Sequence, residues 1–309
     1  MSRLLSRFYL SAFALLCLLG LSAAQLPCPP THINQLPLQL AQLGRHRDID
    51  DSCGCQGASK GAAGSPLRQA NDLQNSVKNN LRPAALTQKP ITIRDMIRLQ
   101  GKVDDFTPQQ LQRGDRFHLP SPAQRPLLRN INLGHSKRFG EGDLVTLIGF
   151  VIGATHSNTS GGESVNCNTD GCAGNDIHIE ITAHPRDTDV DKGEQMNDEG
   201  VVAEIIPHHR PDSWEMFDAT AYRSIFSDHP VMFAGQLFYD ASHSPGGGPD
   251  RAAVWEVHPV YAIWVCQNTS LSQCPADRQN DASVWLPFDQ VRAAHHLNVQ
   301  PTTKCVNNP

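Results

Sequence analysis

Apolar and polar positions alternate most regularly between residues 140 and 266. Leu144 to Ala154 is a long apolar, β-branched run interrupted by Gly149 and Gly153. Glycine inside a strand marks a bulge or sharp bend, which suits the first, strongly curved strand of a small barrel. Ile177 to Ala183, Val201 to Ile206, Val231 to Tyr239 and Ala253 to Cys266 read as further strands, and Ser164 to Asn166 as the start of another. Pro207 ends the Val201 strand, and Pro259 predicts a bulge or an edge position in the last one. Residues 211 to 226 carry Trp214, Met216, Phe217, Tyr222, Ile225 and Phe226 and read as a helix capped by Asp212 or Ser213. A helix between the third and fourth long strands is the order of an OB-fold barrel, a fold that binds oligonucleotides and oligosaccharides.

Upstream the period lengthens. Leu67, Ala70, Leu73, Val77 and Leu81 recur at helical spacing from Pro66, until Arg82-Pro83 stops the pattern. Thr92 and Asp95 have N-cap spacing for a second helix running to about Leu99. Thr107-Pro108, with Gly114 beyond, predicts a short third helix. Residues 25 to about 66 and 115 to 140 carry little periodicity, and the second stretch reads as an extended segment wrapping onto the barrel. The tail from Asn268 reads as irregular, apart from a short helix around Phe288 to His296. The expected class is α+β: a small OB-like β-barrel preceded by a helical, loop-rich N-terminal part. The expected division is 1–24 leader, 25–139 N-terminal region, 140–266 barrel and 267–309 tail.

Composition narrows the setting. Of 309 residues, 39% are apolar and 18% charged, so a globular core is feasible, while 23 Gly and 22 Pro imply much loop. A net charge of −5 gives no electrostatic case for nucleic-acid binding. Arg3 and Arg7, the apolar run Phe8 to Leu21, and Ser22-Ala23-Ala24 form a secretory signal pattern, so a secreted or periplasmic protein is expected. Nothing later in the chain is long and apolar enough to span a bilayer. Eight cysteines remain after the leader, an even count that reads as disulfides in an exported chain. Cys167–Cys172 and Cys266–Cys274 are expected as local closures. Cys28, Cys53, Cys55 and Cys305 would then pair among themselves in one of three ways. No two separate C-x-x-C pairs support a metal site instead.

The chemistry lies on the polar side of the strands. Successive strand residues face opposite ways. Asp176, His178 and Glu180 therefore share one face and Ile177, Ile179 and Ile181 the other, while Glu256 and His258 lie opposite Trp255, Val257 and Pro259. Glu204, His208, Asp240 and His243 sit in or beside neighbouring strands. Imidazole and carboxylate bind divalent metals such as zinc, and they also serve as general acid and base. With 14 histidines, many are incidental. Asp187, Asp189 and Asp191 imitate a calcium loop, but Gly193 falls one place late and Asp198 stands where the closing glutamate belongs, so a solvated acidic loop is expected. No P-loop and no Gly-x-Ser-x-Gly elbow is present.

Several segments together resemble a group of uncharacterised exported bacterial proteins. They include Gly142-Asp143-Leu144-Val145, Asp176-Ile177-His178-Ile179, Tyr239-Asp240-Ala241-Ser242-His243 and Trp255-Glu256-Val257-His258-Pro259-Val260. The likeness spans roughly residues 140 to 266, and Gln74-Asn75 with Lys78-Asn79-Asn80 is similar to an N-terminal motif of that group. It implies export and an OB-like core, and no mechanism. The residues admit two functional readings. In the first the barrel is a binding or structural module for an oligosaccharide or nucleic acid, with Asp176, Glu180, Glu204, His208 and Trp255 on the ligand face. In the second it is a metal-assisted hydrolase of phosphodiesters or glycans, in which His178, His258 and His243 hold the metal and Glu256 or Asp240 acts as base.

Overall fold

The structure is a computed structural model, described for residues 48–80, 88–157, 160–208, 210–214, 217, 223–226, 228–243 and 251–295. The expected leader, Cys28 and Cys305 lie outside these residues. In chain order the elements are α1 (Asp48–Ser52), α2 (Pro66–Lys78), β1 (Lys89–Ile91), α3 (Ile93–Asp104), β2 (Ile131–Gly134), β3 (Lys137–Phe139) and β4 (Leu144–His156). They continue with β5 (Ile177–Thr182), α4 (Lys192–Glu199), β6 (Val201–Ile205), α5 (Arg223–Phe226), β7 (Val231–Tyr239), β8 (Trp255–Cys266), β9 (Trp285–Pro287) and α6 (Phe288–Ala294).

Five strands close a mixed barrel. β4 pairs antiparallel with β5 and β5 with β6, β6 runs parallel to β8, and β8 pairs antiparallel with β7. β7 returns antiparallel to β4 and shuts the cylinder. Numbered within the barrel, the order is one-two-three-five-four-one, the OB-like arrangement the strand spacing predicts. β1 and β9 extend the sheet beside β4 and β8. Ile177, Ile179, Ile181, Val201, Ala203, Ile205 and Val257 are buried in one apolar cluster, which also takes in Met96, Leu99 and Val103 of α3. The expected bends occur. β4 shifts register between Val151 and Gly153. β7 shifts register around Gly235, where a Cβ would stand 2.4 Å from the Pro259 carbonyl oxygen.

The helices follow local chemistry. Pro66 opens α2, and Ser65 caps it by accepting from the Arg68 amide at 3.2 Å. Thr92 and Asp95 form the predicted capping box of α3. That helix runs past Leu99 to Asp104, because Val103 continues the buried stripe of Ile93, Met96 and Leu99.

Several expectations need correction. Thr107 begins a single turn, not a helix: the Arg113 guanidinium caps the Val103 and Phe106 carbonyls, and Gly114 N–H donates to the Ala241 carbonyl. Residues 115–140 are not simply extended. They contain a 3-10 turn at Arg125–Leu128 and the β2–β3 hairpin. Ser164–Asn166 is a 3-10 turn, not a strand. Within the predicted helix 211–226, the described part comprises a 3-10 turn at Asp212–Trp214 and the short α5. The acidic loop is solvated as expected, but Asp191 also caps α4 by accepting from the Gly193 amide. The helix expected near Phe288 is α6.

Cysteine pairing is partly as expected. Cys266–Cys274 forms. Cys167 pairs with Cys53, not with Cys172, and Cys55 and Cys172 are also in disulfides. The reason is a close approach between distant segments. Ala58 N–H donates to the Ser164 carbonyl at 2.6 Å, and Gly57, at φ +56°, leaves no room for a Cβ beside that oxygen. The segment before α2 is thus fastened to the loop between β4 and β5.

Candidate functional site

Strand register brings the first group together. His178 on β5 stands opposite Glu204 on β6, and β8 runs along the far side of β6. The side chains project outward, away from the isoleucines, onto a wall covered by the end of α2. Glu204 is the hub. His178 Nε2 lies 2.7 Å from its Oε1, and His258 Nε2 lies 2.8 Å from its Oε2. Asp176 Oδ2 is 3.4 Å from the same His258 nitrogen. Lys78, from the last turn of α2, puts Nζ 3.8 Å from Glu204 and 3.7 Å from Glu163.

The periphery is fixed by hydrogen bonds. Asn166 Nδ2 donates to Asp176 Oδ1 at 3.0 Å, and His258 Nδ1 meets the Lys78 carbonyl at 3.0 Å. Gln236 Nε2 donates to the Val77 and His258 carbonyls, and Tyr261 OH to the Asn80 carbonyl. The Gln74-Asn75 and Lys78-Asn79-Asn80 segment is therefore the clamp that holds α2 on the barrel wall.

Charge is balanced inside this group. Burial disfavours the Glu204 carboxylate, but His178, Lys78 and His258 outweigh it and hold its pKa well below the ordinary value. Burial opposes the His178 imidazolium too, yet Glu204 raises its pKa to about 9. His258 is raised to about 10 against the same opposition, by Glu204 and Asp176. Lys78, disfavoured by burial, is held well above its usual value by Glu204, Glu163 and Asp240.

A second group lies on the same wall. His243 Nδ1 is 2.6 Å from Asp240 Oδ2, and Asp240 Oδ1 accepts from Gln74 Nε2 at 3.3 Å and from the Ser242 amide at 3.1 Å. Arg251 stands behind, 3.9 Å from Asp240 and in contact with Glu256. Burial works against the Asp240 carboxylate, but Lys78 and His243 keep its pKa well below the usual range. The Asp240 charge raises that of His243. Glu256 is pushed up by burial and by the neighbouring Glu204 charge.

Both groups border one cleft of about 680 Å³, lined by His178, Glu204, Lys78, Glu163, Asp240 and His243 among others. Lys60 and Arg116 line its other side, flanking the exposed ring of Phe117 at 5.8 Å and 5.0 Å from the centroid. Burial and the Arg116 charge lower the Lys60 pKa, as two adjacent cations require.

Of the residues singled out in the sequence, Asp176, His178, Glu204 and His258 come together. Asp240 and His243 form their own pair. Glu256 is fully buried on Arg251. Glu180 lies farther along β5 in a salt bridge to Lys192 at 2.8 Å. Trp255 is turned into the core, edge-on to Tyr239 at 5.0 Å. His208 is buried after β6 and does not line the cleft. Asp176, Glu204 and His258 offer three donor atoms within 4.8 Å of one another, a grouping that includes neither His178 nor His243. Sequence reasoning missed Glu163, Asn166 and Arg251, and the Lys60–Phe117–Arg116 rim. Each arrives from a loop whose composition announces only loop. No family model, curated protein or solved structure matches the chain.

Proposed function

We propose that the protein is an exported binding module whose ligand is an acidic oligosaccharide, seated in the cleft between α2 and the barrel wall. The observation that carries this reading is the 680 Å³ cleft itself, lined by amides, hydroxyls and carboxylates and by two cations, Lys60 and Arg116, that also stand over the exposed ring of Phe117. Asn168, Ser157, Ser164, Glu163 and Asp240 supply the mixed donors and acceptors that sugar hydroxyls need. Phe117 offers a face for a sugar ring, and Lys60 with Arg116 a place for a carboxylate. A continuous phosphate backbone fits less well, because Glu163 and Asp240 would face it and the chain carries −5 overall. Export and kinship to the uncharacterised exported group draw support from the leader pattern, the six disulfide-bonded cysteines among the described residues, and the OB-like barrel.

The test is calorimetric titration with oligogalacturonate, its neutral counterpart and a single-stranded DNA oligonucleotide. Binding of the acidic sugar, weakened at least about tenfold by Lys60→Ala with Arg116→Ala, is expected. Preference for the DNA, or no loss in the double variant, would overturn the assignment. A second reading, metal-assisted hydrolysis of a glycan or phosphodiester, is favoured by the convergence of Asp176, Glu204 and His258. In it the cluster holds the metal, and His243, whose Nδ1 is taken by Asp240, uses Nε2 for proton transfer in the cleft.

A further inference from the structure

The buried cluster has a feature that a plain salt-bridge network does not need. Asp176 Oδ2, Glu204 Oε2 and His258 Nε2 converge, all fully buried, and none makes a hydrogen bond of acceptable geometry despite separations of 2.8 Å and 3.4 Å from the histidine nitrogen. The other polar atom of Asp176 and of His258 is held: Asn166 Nδ2 donates to Asp176 Oδ1, and His258 Nδ1 meets the Lys78 carbonyl. Glu204 Oε1 is not hydrogen-bonded either, though His178 Nε2 stands 2.7 Å away. Two of the three residues are thus tied down on one side, and all three aim an atom at a common point. Metal-binding histidines are oriented in this way, by giving their second ring N–H to a backbone carbonyl, and ligating carboxylates by hydrogen bonds to their outer oxygen. Two ligands of a tetrahedral ion with bonds of about 2.0–2.1 Å stand about 3.3 Å apart, against 2.8 Å and 3.4 Å from the His258 nitrogen to the two carboxylates, with all three atoms within 4.8 Å of one another.

We propose that Asp176, Glu204 and His258 form a divalent transition-metal site, of zinc type, with its fourth position toward the cleft that Glu204 lines. One nitrogen and two carboxylate oxygens suit zinc better than softer ions, which favour thiolates. Three protein ligands leave room for a water or a ligand oxygen, as in zinc sites that polarise a bound group. Lys78 Nζ, 3.8 Å from Glu204 Oε2, is the competing cation and must swing toward Glu163 when the metal enters. This site deepens the hydrolase reading, but its test measures metal content and not turnover. A site that binds zinc without catalysis, or a cleft that binds sugar without zinc, would therefore be recognised as such.

The experiment uses the full chain, untagged, dialysed against chelator and then titrated with zinc chloride by calorimetry, with metal content measured after desalting. One zinc per chain is expected. Asp176→Asn should abolish uptake. Asn166→Ala, which keeps all three ligands and guards against a variant that fails to fold, should weaken affinity by about 10- to 100-fold. His243→Ala should bind as the parent does. Substoichiometric zinc in the parent, full uptake by a folded Asp176→Asn protein, or unchanged affinity in Asn166→Ala would each overturn the proposal.

Discussion

The two histidine–carboxylate groups on the barrel wall use the same chemistry at different depths. His258 is fully buried, with one ring nitrogen against the Lys78 carbonyl and the other against Glu204 and Asp176. His243 keeps 34% of its side chain exposed, and among the described residues its Nδ1 is taken by Asp240. The sealed group joins β5, β6, β8 and α2, so it bears on whether the wall holds its shape. His243 hangs on a turn after β7, so its loss touches the cleft and little else, while its partner Asp240 is buried and tied to Gln74 and Arg251. Depth, rather than residue type, separates His258, which supports the wall, from His243, which faces the cleft.

The sharpest way to break that contrast is to unbalance the sealed group. Glu204→Gln would leave the buried His258, the partly exposed His178 and Lys78 facing a neutral amide. Removing one partner of a buried ionic network costs about 3–5 kcal/mol. Urea unfolding followed by tryptophan fluorescence should show a loss of that size. A loss under about 1 kcal/mol would mean that the network is solvated and that the distinction by depth is false.

A smaller effect is expected from the fastening that forms the cleft. Replacing Cys53 and Cys167 by serine frees the 160s loop from the segment before α2, and disulfides of this kind contribute about 2–4 kcal/mol. The same change should weaken ligand binding in the cleft, since Glu163, Ser164 and Val165 line it. A variant that loses stability and keeps full affinity would show that the remaining contacts hold the cleft, among them the Ala58 N–H bond to the Ser164 carbonyl and the Asn79 bond to the Val165 carbonyl.

Much of this contrast is legible in the amino-acid sequence. The alternation of Ile177, Ile179 and Ile181 with His178 and Glu180 assigns the two barrel faces, because a two-residue period admits only one inside. The run of strands and the bends at Gly153 and Gly235 point to the barrel order. Depth is not legible. Both histidines follow a carboxylate at short spacing, and nothing in Glu256-Val-His258 or Asp240-Ala-Ser-His243 says which one α2 covers. Lys78 comes from another element altogether, and the Cys53–Cys167 bridge spans 114 residues. Proximity along the chain points Cys167 to Cys172, but docking of the 160s loop against Ala58 decides otherwise. Glu256 shares a face with His258 on β8, yet its role is set by Arg251, which leaves no trace in the strand pattern.

The smallest effect should come from the open group. His243→Ala removes a partly exposed ion pair, worth less than about 1 kcal/mol once solvent screening is allowed for. Its pH dependence is the more telling quantity. The Asp240 pKa is held below its usual value, so this carboxylate contributes stability above about pH 4 and loses it as the pH falls through its folded value. The His243 pKa is raised, so its contribution is complete below about pH 6.5 and disappears as the pH rises through the folded value. The difference between parent and His243→Ala should therefore be greatest between about pH 4 and 6.5 and shrink on the alkaline side, read as urea midpoints at pH 5, 7 and 9. A difference that stays undiminished at pH 9 would place His243 with His258, whose pKa of about 10 keeps its ring charged there. The open group would then be a second sealed one, and the cleft would have lost its proton-transfer candidate.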